Sequence, residues 1–105
     1  MMKAHWTDFA WSMLSQTADY ILEEYGEMAL DSFRNDVHAC VKLLEEQPLI
    51  GPEEKYLSSR PLKYRSVVVG NHNKIVYTID QEAAILFIVD FWDTRREPTW
   101  QSRSV

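Results

Sequence analysis

Between Lys55 and Lys74 every charged side chain is a cation: Lys55, Arg60, Lys63, Arg65 and Lys74. A further pair, Arg95-Arg96, follows the last apolar run. Arginines and lysines gathered in this way suit the binding of an anion. A guanidinium offers bidentate contacts to phosphate or carboxylate but is a poor base. The remaining charges are placed unevenly. Up to Pro52 there are three cations against nine anions (3 − 9 = −6), and from Glu53 onward eight against seven (8 − 7 = +1), which together make the net −5. An acidic half joined to a locally basic one predicts a face aimed at an anion; the competing reading is a solvated surface of mixed charge.

Other residue types that carry chemistry are scattered. His5, His38 and His72 have no close-spaced ligand partner, and His38 and Cys40 fall on different helix faces. Neither pattern fits zinc, so no metal site is expected. Cys40 lies on an apolar stripe and reads as a core residue. The adjacent pairs Glu23-Glu24, Glu45-Glu46 and Glu53-Glu54 read as solvated faces rather than acid–base pairs. Of the tryptophans, Trp6, Trp11, Trp92 and Trp100, most are expected to pack internally. Trp11 lies off the main stripe of its helix and Trp100 in a polar tail, where they suit an apolar patch awaiting a partner. Trp92 joins them as a candidate binding residue.

The elements that must hold these residues follow from periodicity. Lys3 to Trp6 suits a short strand. Thr7 and Asp8 are N-cap types ahead of Phe9, Ala10, Met13, Leu14, Thr17, Ile21, Leu22 and Tyr25, spaced as one face of a helix. Gly26 ends that helix. Ala29, Phe33, Val37, Cys40, Val41 and Leu44 mark the stripe of a second, stopped by Pro48. Residues 49–61 read as a loop. Strands are predicted at Tyr64–Val69, Lys74–Ile79 and Ala84–Trp92, joined by short turns as an antiparallel meander. The last is apolar at both parities and so is expected at the centre, with both faces covered at least in part. Arg65 shares a strand face with Val67 and Val69. It is a contact residue if that face is open, and otherwise an edge arginine paired with Asp90 or Asp93.

With 105 residues, 46% of them hydrophobic, the chain suits one folded domain, assigned to residues 1–98 with a polar tail at 99–105. A lone cysteine excludes an intrachain disulfide framework and fits a reducing, cytoplasmic setting. No apolar run is long enough to span a bilayer, and the first residues lack the apolar segment of a signal peptide. The expected fold is α+β: an N-terminal helical hairpin, with a possible short first strand, packed on a three- to four-stranded antiparallel sheet whose other face stays partly open.

That order of elements, with the residues it carries, resembles the RelE/ParE superfamily of bacterial toxins. The resemblance runs from Trp6 to Pro98. It rests on Trp6-Thr7-Asp8 with Ala10, and on Glu23-Glu24-Tyr25-Gly26 with Ala29 and Phe33. Further along it rests on Arg60-Pro61-Leu62-Lys63-Tyr64-Arg65 leading into Val67-Val68-Val69, on Lys74-Ile75-Val76-Tyr77, and on Phe91-Trp92-Asp93-Thr94-Arg95-Arg96-Glu97-Pro98. It implies a growth-inhibiting toxin of a type II toxin–antitoxin pair, of the kind linked to plasmid stabilization, held inactive by a cognate antitoxin. RelE-like members cut mRNA in the ribosome; ParE-like members poison DNA gyrase and cut nothing. By position, Arg65 matches the strand arginine of the family, and Arg95 or Arg96 a second basic position after the last strand. In an endoribonuclease, metal-free and ribosome-dependent, these would clamp the phosphate with Lys55 or Lys63 assisting. In a gyrase poison they would be target contacts, with Lys55, Arg60 and Lys63 beside them. The tail has no tyrosine or histidine, only Trp100, to move a proton, and net −5 suits a polyanionic target poorly. The ParE-like reading is therefore favoured, with the RelE-like endoribonuclease as the alternative and an inactive, purely protein-binding relative as the second. None of these readings requires a cofactor.

Overall fold

The structure, a computed structural model, describes residues 1–57, 59 and 61–94. Its elements are β1 (Lys3–Trp6), α1 (Asp8–Tyr25), α2 (Glu27–Glu46), a single 3-10 turn (Lys55–Leu57), β2 (Arg65–Val69), β3 (Asn73–Asp80) and β4 (Ile85–Asp93). The helices and strands lie within a residue or two of their expected spans, and the 3-10 turn falls in the segment read as a loop. Thr7 caps α1, its Oγ1 accepting the Ala10 amide at 3.2 Å. Gly26 both ends α1 and begins α2. Its φ of 90° lies in the left-handed region that glycine enters without steric cost, and its N–H reaches the Leu22 carbonyl at 3.1 Å.

The strands form one sheet in the order β1-β4-β3-β2. β2–β3 and β3–β4 are the antiparallel meander, with β4 interior as expected. The sheet is mixed rather than wholly antiparallel, because β1 runs parallel to β4, Trp6 opposite Ile88. The helical hairpin between β1 and the meander acts as the long crossover that a parallel pair needs. Both free edges are partly closed. At β1 the Ala4 amide donates to Glu45 Oε2 at 2.8 Å and the Met2 amide to the Glu45 carbonyl at 2.9 Å.

The main core lies between the helices and one sheet face. Ala10, Leu30, Phe33, Val37 and Leu44 meet Val69, Ile75, Tyr77, Leu86, Ile88 and Phe91 there. The stripe of α1 is shorter than its periodicity predicts, since Leu22 and Tyr25 are exposed. β4 faces both sides by alternation, and a bulge shifts which residues face the helices. Val76 pairs with Asp90 and Tyr77 with Ile88, leaving Val89 as an extra residue. Leu86 and Ile88 therefore join Phe91 in the helix-side core, whereas Trp92 and Val89 join Val76, Tyr64 and Leu57 in a smaller cluster on the other side. On that second face Leu57 and Tyr64 cover Val76 and Trp92, while Val68 stays exposed, so the face is partly open as expected.

Candidate functional site

The segment from Pro48 to Tyr64 carries much of the basic stretch, and it wraps around the β2 edge. Its first part sits on the helix side. The Tyr77 hydroxyl donates to the Pro48 carbonyl at 2.7 Å and accepts the Gly51 amide at 3.1 Å. Arg65 Nη1 donates to the Gly51 carbonyl at 2.7 Å and lies 3.5 Å from the Leu49 carbonyl. Residues 52–54 then pair with the strand edge. The Ser66 amide donates to the Pro52 carbonyl at 3.1 Å and the Glu54 amide to the Tyr64 carbonyl at 2.7 Å, with Glu53 bridged to Arg65. Beyond this crossing Glu54 and Leu57 lie on the outer face. Glu54 Oε2 accepts from Lys74 Nζ at 2.9 Å and from Ser66 Oγ at 3.0 Å, and Leu57 closes over Val76 and Trp92. Lys74 Nζ also stands 5.7 Å from the Trp92 ring centroid.

This geometry revises several expectations. Arg65 points to the helix side, with Val67 and Val69, and its partners are backbone carbonyls rather than Asp90 or Asp93. Glu54 is not solvated: it is 6% exposed and ion-paired, as a buried carboxylate must be. Trp92 is 5% exposed and packs internally, so it offers no open surface. Lys55 and Lys63 are exposed, and Lys63 approaches Glu53 at only 3.8 Å, a solvated pair of little energetic weight. Arg60, Arg95, Arg96 and Trp100 lie outside the described residues. Among the described residues no cluster of histidine, cysteine and carboxylate groups could hold a metal. The pairing of Glu54 with Lys74 is not legible in the sequence, because the two lie twenty residues apart. The available signal was weak, a lysine alternating with Val76 on one face of a central strand.

Titration follows the packing. Burial pushes the Tyr77 hydroxyl above its ordinary range, with the Gly51 amide and the Arg65 charge pulling the other way. Burial also raises the Cys40 thiol, which makes it a poor nucleophile.

Two concavities lie elsewhere. A groove of about 390 Å³ runs between the helices, with Trp6, Trp11, Leu14, Phe33, Val37 and Val41 in its lining and Arg34 and His38 at its polar end. Trp11 is 57% exposed and meets Trp6 edge-on at 6.0 Å. A wider hollow of about 660 Å³ brings Tyr20, Tyr25, His72 and Asp93 together beside Asn73. It lies four residues along β3 from Tyr77, the partner of Arg65, so it shares nothing with that arginine. No helix among the described residues is long and apolar enough to cross a membrane.

Residues 4–98 match the family model described as ParE toxin of type II toxin-antitoxin system, parDE. No curated protein matches the sequence. Among solved structures, a chain of the chromosomal ParDE TA system from P. aeruginosa superposes with a TM-score of 0.71 at 18% identity, covering 90% of this chain and 98% of that one. The likeness supports the same arrangement of two helices on a four-stranded sheet. The family match spans nearly all the described residues, from β1 to beyond β4. The chain belongs to the ParE toxin family, the toxin component of type II toxin–antitoxin systems.

Proposed function

We propose that this toxin acts in the cytoplasm by binding and inhibiting DNA gyrase, without cutting RNA. The observation that carries the reading is the direction of Arg65. An endoribonuclease of this fold would aim that guanidinium at a scissile phosphate, but here it is turned to the helix side and held by the Gly51 carbonyl. Lys74, the neighbouring strand cation, is neutralised by Glu54. Among the described residues this leaves Lys55 and Lys63 as the exposed cations of the basic stretch, and they suit surface contact better than charge stabilisation in a transition state. On this reading Lys55 and Lys63 contact the target, with Arg60, Arg95 and Arg96 as further candidate contacts.

The antitoxin is assigned to the opposite layer. The interhelical groove exposes apolar side chains beside Trp11, and the chain up to Pro52 carries net −6 from three cations and nine anions. An amphipathic segment with an apolar stripe and basic flanks would complement both.

Pulse labelling of DNA and protein synthesis just after the toxin is induced without antitoxin tests the mechanism. DNA synthesis is expected to fall first, with a DNA-damage response. Protein synthesis falling first, with mRNA cut in the ribosomal A site, would overturn the gyrase reading in favour of a RelE-like endoribonuclease. No effect on either would leave a protein-binding relative.

A further inference from the structure

Glu54 is the charged residue that the target reading leaves unused, and its surroundings give it a role. Its carboxylate is nearly inaccessible, and a single oxygen takes both the Lys74 ammonium and the Ser66 hydroxyl. Ser66 belongs to β2 and Lys74 to β3, so one side chain ties the wrapping segment to two strands, and Lys74 in turn stands over the Trp92 ring of β4. The 3-10 turn starts from the same residue, with the Leu57 amide donating to the Glu54 carbonyl at 3.1 Å. Glu54 and Leu57 then face inward and Lys55 is left exposed. At the other end of the stretch, Thr78 Oγ1 donates to the Lys63 carbonyl at 2.8 Å.

Covering Val76 and Trp92 does not call for a charge. An apolar residue at position 54 would exclude water as well, and buried ion pairs replaced by matched apolar residues commonly keep or gain stability. What the pair adds is a single orientation. We infer that Glu54 is a positioning residue: through Lys74 and Ser66 it fixes the 3-10 turn so that Lys55 is presented to the target together with Lys63. This rests on the reading that those lysines contact the target.

The test compares the inducer level needed for half growth inhibition among full-length variants, with antitoxin affinity and unfolding midpoint measured on the same proteins. Glu54→Gln should raise that level about tenfold, the equivalent of one decade in target affinity. Ser66→Ala, which leaves both charges in place, should shift it the same way by a smaller factor. Amide exchange at residues 55–57 should quicken in both, while antitoxin affinity stays within about twofold because the groove is remote. The double variant Glu54→Leu/Lys74→Met separates positioning from packing. It should recover the wild-type unfolding midpoint yet remain poorly toxic. Full toxicity in that double variant, or in Glu54→Gln, would overturn the assignment. The target reading has its own control in Lys55→Gln/Lys63→Gln: wild-type toxicity there would sink that reading, whereas loss of toxicity there with Glu54→Gln unaffected would sink only the role given to Glu54.

Discussion

Tyr77 and Gly51 are in direct contact: the tyrosine oxygen accepts the Gly51 amide at 3.1 Å, and a Cβ built on Gly51 would lie 2.8 Å from that oxygen. It would also lie 2.6 Å from the Ser66 carbonyl oxygen, which is backbone and cannot swing aside. The glycine is required here for closeness. Gly51→Ala should push the loop off β2 and destabilise the protein by about 1–3 kcal/mol, the usual cost of overpacking. Urea unfolding midpoints of the two proteins measure it.

Tyr77→Phe keeps the ring and removes the hydroxyl that joins Pro48 to Gly51. The loss should be about 1–3 kcal/mol, since buried backbone groups lose their partner. The same hydroxyl sets a pH dependence. Its folded pKa is raised above the ordinary 10.0, chiefly by burial, so the protonated form is favoured in the native state. The stability this confers is complete below the unfolded value and is lost as pH climbs through the folded one. Unfolding midpoints followed through the alkaline range should fall more steeply in the wild type than in Tyr77→Phe, and parallel curves would refute the assignment.

Arg65→Ala removes the donor to the Gly51 carbonyl. It should lower stability by about 1–3 kcal/mol, the range for hydrogen bonds from charged groups. A target-contact arginine would behave differently, losing toxicity with its unfolding midpoint unchanged. Comparing midpoint and growth inhibition in this one variant decides between the two.

These contacts show what the sequence could and could not disclose. Helices and strands were legible because Phe33, Val37 and Leu44, or Ile75 and Tyr77, repeat at the period of their own element. Strand β1, only four residues long, was legible as a strand, but its parallel pairing was not, because direction is set by where the hairpin returns the chain. The facing of Arg65 was equally hidden. Val67 and Val69 placed it on one side of β2, yet both sides of that strand carry apolar residues, and only the packed helices say which side is inward. Beside Glu53, Glu54 looks solvated in sequence. Burial depends on the fold of the whole segment, and two adjacent carboxylates end on opposite terms with water.

Glu45 closes the outer edge of β1 by accepting the Ala4 amide through its side chain. Glu45→Ala should cost about 1–2 kcal/mol for the lost charge-assisted bond and leave an edge open to strand pairing. Increased self-association on gel filtration and in light scattering is the expected sign; a monomer as well behaved as the wild type would remove this protective role.

Trp11 is more than half exposed, so truncating it should barely move the unfolding midpoint. If the groove receives the antitoxin, Trp11→Ala should weaken that complex by about 2 kcal/mol or more, as an interfacial aromatic anchor does. Calorimetric titration of the purified pair gives the number, and unchanged affinity would move the antitoxin off this groove.

Val89, the extra residue in β4, acts as a frameshift written in space. Upstream of it the even-numbered side chains Leu86 and Ile88 enter the helix-side core; downstream that place passes to odd-numbered Phe91, while Asp90 and Trp92 turn away. Pairing the same residues without the bulge would exchange inside for outside at three positions together, sending Asp90 and Trp92 toward the helices and Phe91 out, whereas deleting Val89 would restore regular alternation with those three facings kept. A substitution at Val89 would alter one side chain, and a deletion there would straighten the strand while leaving each later residue on its own face. What the core depends on at this point is the one-residue offset in pairing, and the side chain that stands there matters far less.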